Sequence, residues 1–432
     1  METAIEKSNS FVIGHGAPEA DLSAAELRSI VEESLVGIVP QSKVLAIVSD
    51  KTRDDNTDLL FPFAAEILAG RKVKKFDALV AQGTHVPMSP AEKRAKLGIG
   101  DGETIPNLGK VFDHHWNDPN ELTTIGELSA ERVSELTNGL FEKAIPLTIN
   151  KLLAPGNYDY VLIFGATVPH EVAGFAGGAK YFFPGVSGAE LTNATHWLGA
   201  LAGIENIIGR VETPTRNLIE AAADFVSAKI ICLTSVVTRM AENRLQTHAL
   251  FAGDFRSVLR RAAEISRKVH IKYVAKKYRR VVALLDDHYD ELWTGGKASY
   301  KLGGIIEIGG ELIIYAPHLH CVSDTHGAMI GKFGYAPIEK IKQLVAESDE
   351  LRANLCVAAH LAHVAFAGHE DDGTKQRFTI TLASQMSEEI CRHVNLGFLD
   401  HRNFRREDYE NDPETLIVER AGRDLYRVER QI

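Results

Sequence analysis

The sequence is poor in anything that would staple, anchor or electrostatically steer it. Its four cysteines, Cys232, Cys321, Cys356 and Cys391, lie far apart with no Cys-x-x-Cys pair. That pattern suggests neither a disulfide framework nor a thiolate zinc site. A basic surplus is also missing: the net charge is −10 and the 48 Lys and Arg are dispersed, which argues against nucleic acid as the partner. The one basic cluster, "KKYRR" at Lys276 to Arg280, reads as a solvated helix end or linker. No window reaches the ~18 uncharged apolar residues of a membrane span. The opening "METAIEKSNSFVIGHG" lacks the cationic-then-apolar order of a secretory leader. A cytoplasmic chain without membrane partners is expected. Internal repeats and low-complexity tracts are absent as well.

What is present is globular: 45% hydrophobic and 25% charged residues in ordinary proportion. At 432 residues the chain exceeds what one core usually supports, so two domains are expected. The helix-like "FRSVLRRAAEISRKVH" followed by a new set of apolar strands puts a boundary near residue 272. This divides the chain into an N-terminal catalytic and cofactor-binding domain, 1–272, and a substrate-clamping domain, 273–432, whose charged tail could pack back on the first. Oligomeric state is not legible, although a homo-oligomer is compatible with everything above.

Apolar runs bounded by turn residues alternate with helical patterns. "VLAIVSD" (Val44 to Asp50) precedes "LLFPFAAEILAG", and "FDALVAQGTH" (Phe76 to His85) and "YDYVLIFGATVPH" (Tyr158 to His170) follow the same grammar. Such alternation predicts α/β domains with largely parallel or mixed sheets. Ligands in these sheets bind beyond the carboxyl ends of the strands. The three tips carry Asp50, Thr52 and Arg53; Gly83, Thr84 and His85; and Thr167, Pro169 and His170.

Beyond the third tip lies "AGFAGGAK", a loop whose glycines suit close backbone approach to a ligand and whose Lys180 can reach an anion. It is not a P-loop, because Tyr181 stands where Ser or Thr is required. Histidine is the residue type suited to proton transfer near neutral pH, and His85, His170 and His196 lie at or beyond these tips. Three neutral imidazoles are also a valid catalytic zinc set, so a zinc hydrolase is one alternative, although it gives Lys180 no role. A non-catalytic hydroxy-acid binding protein is another. Asp50 could orient Arg53 or a histidine, or simply cap the turn. The later "APHLHCVSDTHG" places His318, His320, Ser323, Asp324, Thr325 and His326 after an apolar strand; it could bind substrate hydroxyls or be a solvated loop.

Taken together, "SDKTR", "GTH", "PHEVAGFAGGAK" through His196, and "LWTGGK" with "GGELIIYAP" resemble the nickel-dependent lactate racemase family in motif order and spacing over most of residues 40 to 330. The resemblance implies a racemase or epimerase of 2-hydroxy acids that uses the nickel-pincer nucleotide in an interdomain active site. It implies covalent attachment of that cofactor at Lys180, with Gly177, Gly178 and Asp50 beside it. His196 becomes the nickel ligand, and His85 and His170 the acid and base on opposite faces of the substrate. Arg53 and Lys297 become the carboxylate anchors, flanked by Trp293 and Thr294. Those two residues depart from the tyrosine and glutamine of the lactate branch, so lactate is not the expected substrate; a sugar acid such as an aldonate, whose hydroxyls the "APHLHCVSDTHG" tip could bind, is expected instead. Enzymes of cofactor synthesis are the implied maturation partners.

Overall fold

The computed structural model describes residues 11–240, 244–287, 289–365 and 374–429. The first ten residues, part of the segment on which the leader reading rests, lie outside that range. The chain is mixed α/β and forms two compact units. Unit 1 comprises residues 1–168, 175–192 and 216–269; unit 2 comprises 169–174, 193–215 and 270–432.

Unit 1 is built on a seven-stranded sheet. Its strands are β1 (Val12–Gly16), β2 (Lys43–Ser49), β3 (Lys75–Ala81), β4 (Leu108–Phe112), β5 (Tyr160–Ala166), β6 (Lys229–Arg239) and β7 (Leu245–Gly253). The spatial order is β1-β7-β6-β5-β2-β3-β4. The five strands from β6 to β4 run parallel, and β7 is antiparallel to both of its neighbours. In β2 every residue from Val44 on is buried, and β5 is buried throughout. Continuous apolar sequence is what a strand covered on both faces requires.

Helices α1 (Ala24–Ser34), α2 (Thr57–Gly70) and α3 (Pro90–Lys96) flank this sheet. Ser23 with Glu26 and Ser89 with Glu92 close reciprocal capping boxes that fix where α1 and α3 begin. Leu27, Ile30 and Val31 of α1 and Leu60, Phe61 and Ala64 of α2 pack with Val44, Ala46 and Phe164 in one apolar core. That core holds the carboxyl ends of β2, β3 and β5 rigid, and the polar tips follow immediately.

Unit 2 has a five-stranded, wholly parallel sheet of β8 (Tyr278–Leu284), β9 (Ile306–Ala316), β10 (Phe378–Ser384), β11 (Gly397–Phe398) and β12 (Thr415–Val418), in the order β11-β10-β9-β8-β12. Within the same unit, Leu425–Val428 of the charged tail pairs in parallel with Ile271–Val274. Among the described residues no helix is long and apolar enough to cross a membrane.

Candidate active site

In unit 1 the tip of β2 delivers Asp50 and the tip of β3 delivers His85. Asp50 Oδ2 lies 2.7 Å from His85 Nδ1, while Asp50 Oδ1 accepts from the Thr52 backbone N–H at 2.8 Å and from its hydroxyl at 2.6 Å. Burial alone would raise the Asp50 carboxyl, but the charge and hydrogen bond of His85, with Arg53 and Thr52, outweigh it and hold Asp50 far below the usual carboxylate range. A permanently ionised Asp50 keeps the proton on His85 Nδ1 and leaves Nε2, which makes no hydrogen bond among the described residues, as the working nitrogen. Arg53 follows on the same loop. Its guanidinium donates no hydrogen bond among the described residues, and it lines a cavity of about 670 Å³ together with Asp54, Asn56, Asp58, Lys96 and Arg239.

The glycine-rich loop of unit 1 is held from beneath. Gly177 and Gly178 have φ of +98° and +60°, and a Cβ on Gly177 would meet Thr167 Oγ1 at 2.7 Å. Only glycine satisfies both the backbone conformation and the packing there. Arg216, fully buried, donates to the Gly177 carbonyl at 3.2 Å and to the Phe175 carbonyl. Lys180 sits half-buried in the 3-10 turn Gly178–Tyr181 that follows.

Two contacts join this loop to the His85 tip. The Gly83 N–H donates to the Gly185 carbonyl at 3.0 Å. His114 accepts the Gln82 side-chain amide on its backbone carbonyl at 2.8 Å, while its Nε2 lies 3.0 Å from the Ser187 carbonyl. Burial pushes the His114 imidazole down to about 4, so it is a neutral ring with Nε2–H donating to Ser187 and Nδ1 accepting from Asn150 at 3.3 Å.

Unit 2 carries a second group. His170 is buried, and its Nδ1 accepts the Val172 N–H at 3.1 Å. His196 lies half-buried on the helix Ala189–Ala202. The rings of His326 and His360 lie on Trp293, with centroids 4.4 and 4.3 Å away. His360 is held between the Tyr300 hydroxyl, 2.7 Å from Nδ1, and the Tyr335 hydroxyl, 3.3 Å from Nε2.

Burial, reinforced by neighbouring imidazoles that include His196, pushes His360 well down. Burial likewise brings His363 to about 4. These rings are therefore neutral, and His326 Nε2 and His363 Nε2 have no hydrogen-bond partner among the described residues. Lys297 Nζ stands 5.7 Å from the Tyr289 ring centroid. Thr294 donates its hydroxyl to the Glu291 carbonyl at 3.0 Å, which leaves only its lone pairs for a ligand.

Against this geometry, residues 17–206 match the model of the lactate racemase N-terminal domain. Residues 17–206 form a domain of the lactate racemase family. A protein from Thermotoga maritima of known crystal structure is 32% identical, covers 95% of this chain and 99% of its own, and superposes with a TM-score of 0.84. The lactate racemase apoprotein from Thermoanaerobacterium thermosaccharolyticum shares the fold at 16% identity, with a TM-score of 0.69 over 99% of this chain and 97% of that one. No curated protein matches.

Within this lactate racemase N-terminal domain, the structure draws Asp50, Arg53 and His85 into one group and ties the Lys180 loop to it, all within unit 1. Within unit 2, His196 is close enough to His360 and His363 to influence their charge, and Trp293 packs on His360. Sequence reasoning missed His114, Arg216, His360 and His363. The spacing of His360 and His363 puts both on one helix face and was the only available signal; His114 and Arg216 gave none.

Proposed function

We propose that the protein inverts C2 of a 2-hydroxy acid, a sugar acid of the aldonate class, with the nickel-pincer nucleotide as cofactor. The observation that carries this reading is the ionised Asp50 fixing His85 beside Arg53, on the strand tips to which the Lys180 loop is bound. A polarised imidazole next to an unengaged guanidinium is what a hydroxycarboxylate needs: a base for its hydroxyl proton and a fork for its carboxylate.

The residues present fit the cofactor. Gly177 and Gly178, packed on Thr167 and Phe255, give the loop the positive-φ backbone that presents half-buried Lys180, which would hold the group covalently. His196 offers an imidazole to nickel amid histidines kept neutral by burial. When bound, the group supplies a reversible acceptor for the C2 hydride.

The chain's own residues then do the following. Arg53 and Lys297 grip the carboxylate. With His170 protonated, neutral His85 Nε2 takes the hydroxyl proton from one enantiomer; for the other enantiomer the two histidines exchange these states, so that each face meets one base and one acid. The 2-oxo acid formed by loss of hydride from C2 and of the proton from oxygen turns its other face. Return of hydride to that face, with the opposite, protonated histidine giving its proton to the oxygen, would complete the inversion. Trp293 and Thr294 flank the substrate.

The substrate class rests on Trp293 and Thr294 and on the polar loop after β9, not on the cavity beside Arg53, whose lining includes neither His85 nor Lys180. The zinc-hydrolase alternative gains no support. Among the described residues, the group of His, Cys, Asp or Glu side chains able to share a metal ion is His320, Cys321 and Asp324, which contains none of His85, His170 and His196.

The deciding experiment is peptide-level mass spectrometry with nickel analysis on protein co-expressed with cofactor-synthesis enzymes, followed by epimerisation assays on aldonates and lactate. A nucleotide adduct on the Lys180 peptide, about one nickel per chain and turnover of an aldonate are expected. An unmodified Lys180 in that setting refutes the reading. Turnover of lactate alone refutes the substrate class.

A further inference from the structure

The loop between β9 and the helix Gly327–Phe333 has a feature that the proposed reaction does not use. A ligand atom from each of His320, Cys321 and Asp324 lies within 4.8 Å of the other two. Cys321 Sγ is 3.5 Å from Asp324 Oδ1, and a second carboxylate is fixed alongside, since Glu291 Oε2 accepts the Asp324 backbone N–H at 2.8 Å. Asp290 adds its negative charge to the same neighbourhood. Among the described residues, no Lys or Arg forms an ion pair with Asp290, Glu291 or Asp324. Three carboxylates crowded onto a thiol without a cation make an arrangement that a dication would relieve.

The scaffold under these groups is fixed. Leu292 N–H donates to the Cys321 carbonyl at 3.1 Å, Trp293 N–H to the Val322 carbonyl at 2.9 Å, and Leu319 N–H to the Ala316 carbonyl at 3.0 Å. The His326 N–H donates to Ser323 Oγ at 3.1 Å. The loop therefore presents its donors from a backbone already pinned at several points, which lowers the ordering cost of binding.

We propose that His320, Cys321 and Asp324 form a metal site independent of the pincer cofactor, selective for a borderline divalent transition ion, zinc first. One imidazole nitrogen, one thiolate and one carboxylate are donors that zinc accepts in a tetrahedron completed by water, whereas calcium and magnesium prefer oxygen alone. Binding breaks the Cys321 S–H bond, releases that proton to solvent and forms the sulfur–metal bond. The dication is then balanced by one thiolate and one carboxylate, with the imidazole neutral. Glu291, holding the Asp324 backbone, is the supporting partner. Because this loop is hydrogen-bonded to Leu292 and Trp293, the bound ion braces the segment that presents Trp293, Thr294 and Lys297. The spacing of cysteines in the sequence gave no hint of it, since the set contains a single thiol.

The test uses the full chain, stripped with chelator and made without nickel, titrated with cobalt(II) chloride. Cys232, Cys356 and Cys391 are buried and Cys321 is not, so a thiolate-to-cobalt charge-transfer band reports this site. The expected band saturates at about one equivalent and is displaced by zinc. It is absent from Cys321→Ser and needs more than about ten-fold higher cobalt in Asp324→Asn and His320→Gln. No band in the wild type, or one that survives in Cys321→Ser, overturns the proposal. A second readout needs no variant: zinc should slow alkylation of Cys321 by iodoacetamide at least about ten-fold, read on the peptide, and an unchanged rate overturns the proposal equally.

Discussion

His114 gives the most direct test of how the site is held, because its imidazole is buried, neutral and bonded on both nitrogens. Its folded value of about 4, set by burial against an ordinary 6.5, means that the unfolded chain takes up the proton first as pH falls. The stability due to the neutral ring is complete above about pH 6.5 and is lost as pH drops toward 4. At 1.36 kcal/mol per pKa unit, the gap amounts to about 3 kcal/mol in full and roughly 2 kcal/mol by pH 4.5.

Glutamine at this position can still donate to the Ser187 carbonyl but does not titrate. The His114→Gln protein should be about 1 kcal/mol less stable than wild type at pH 7, and the difference should close or reverse by pH 4.5. Urea unfolding followed by circular dichroism at several pH values measures this. Parallel curves for the two proteins would show that His114 does not carry the proton-linked term.

Asp50→Asn should leave the fold intact and lower kcat by about 10²-fold or more, since the His85 ring loses the charge that fixes its tautomer; an unchanged kcat would remove Asp50 from the mechanism. Arg53→Lys should raise KM about ten-fold or more through loss of the bidentate pair, tested by initial-rate kinetics. His85→Asn and His170→Asn should each abolish racemisation while retaining substrate binding by calorimetry, which separates an enzyme from a binding protein. Arg216→Met should lower stability by about 3 kcal/mol or more, because two buried carbonyls lose their donor; thermal melting reads it.

The fold was legible where sequence and burial coincide. "VLAIVS" and "YVLIFGA" are apolar without interruption because both faces of β2 and β5 are covered, and that property marked the strands and hence the tips bearing Asp50 and His85. Arg53 and Lys180 were legible as cations in loops beside those tips. The support was not. His114 matters because the fold brings it to Gln82 and Ser187, 32 and 73 residues away, and no local pattern encodes such a meeting. Arg216 lies in an ordinary helical sequence, which gives no sign of the Gly177 and Phe175 carbonyls it serves. His360 and His363 are set in "LCVAAHLAHVA", which reads as core; only the neighbours of that helix reveal that the imidazoles replace apolar packing with a polar network.

The division of the chain has a further meaning. Passing from unit 1 to unit 2 and back at residues 168/169, 174/175, 192/193, 215/216 and 269/270 makes five crossings. A protein of two units joined by one linker can exchange either half by a single splice. Here replacement of unit 2 would require five simultaneous junctions, and two of its segments, residues 169–174 and 193–215, carry His170 and His196. A single splice therefore cannot transfer unit 2 whole. A change in unit 2 that leaves unit 1 intact is made most simply by point substitution, within a chain that no single splice divides into the two units.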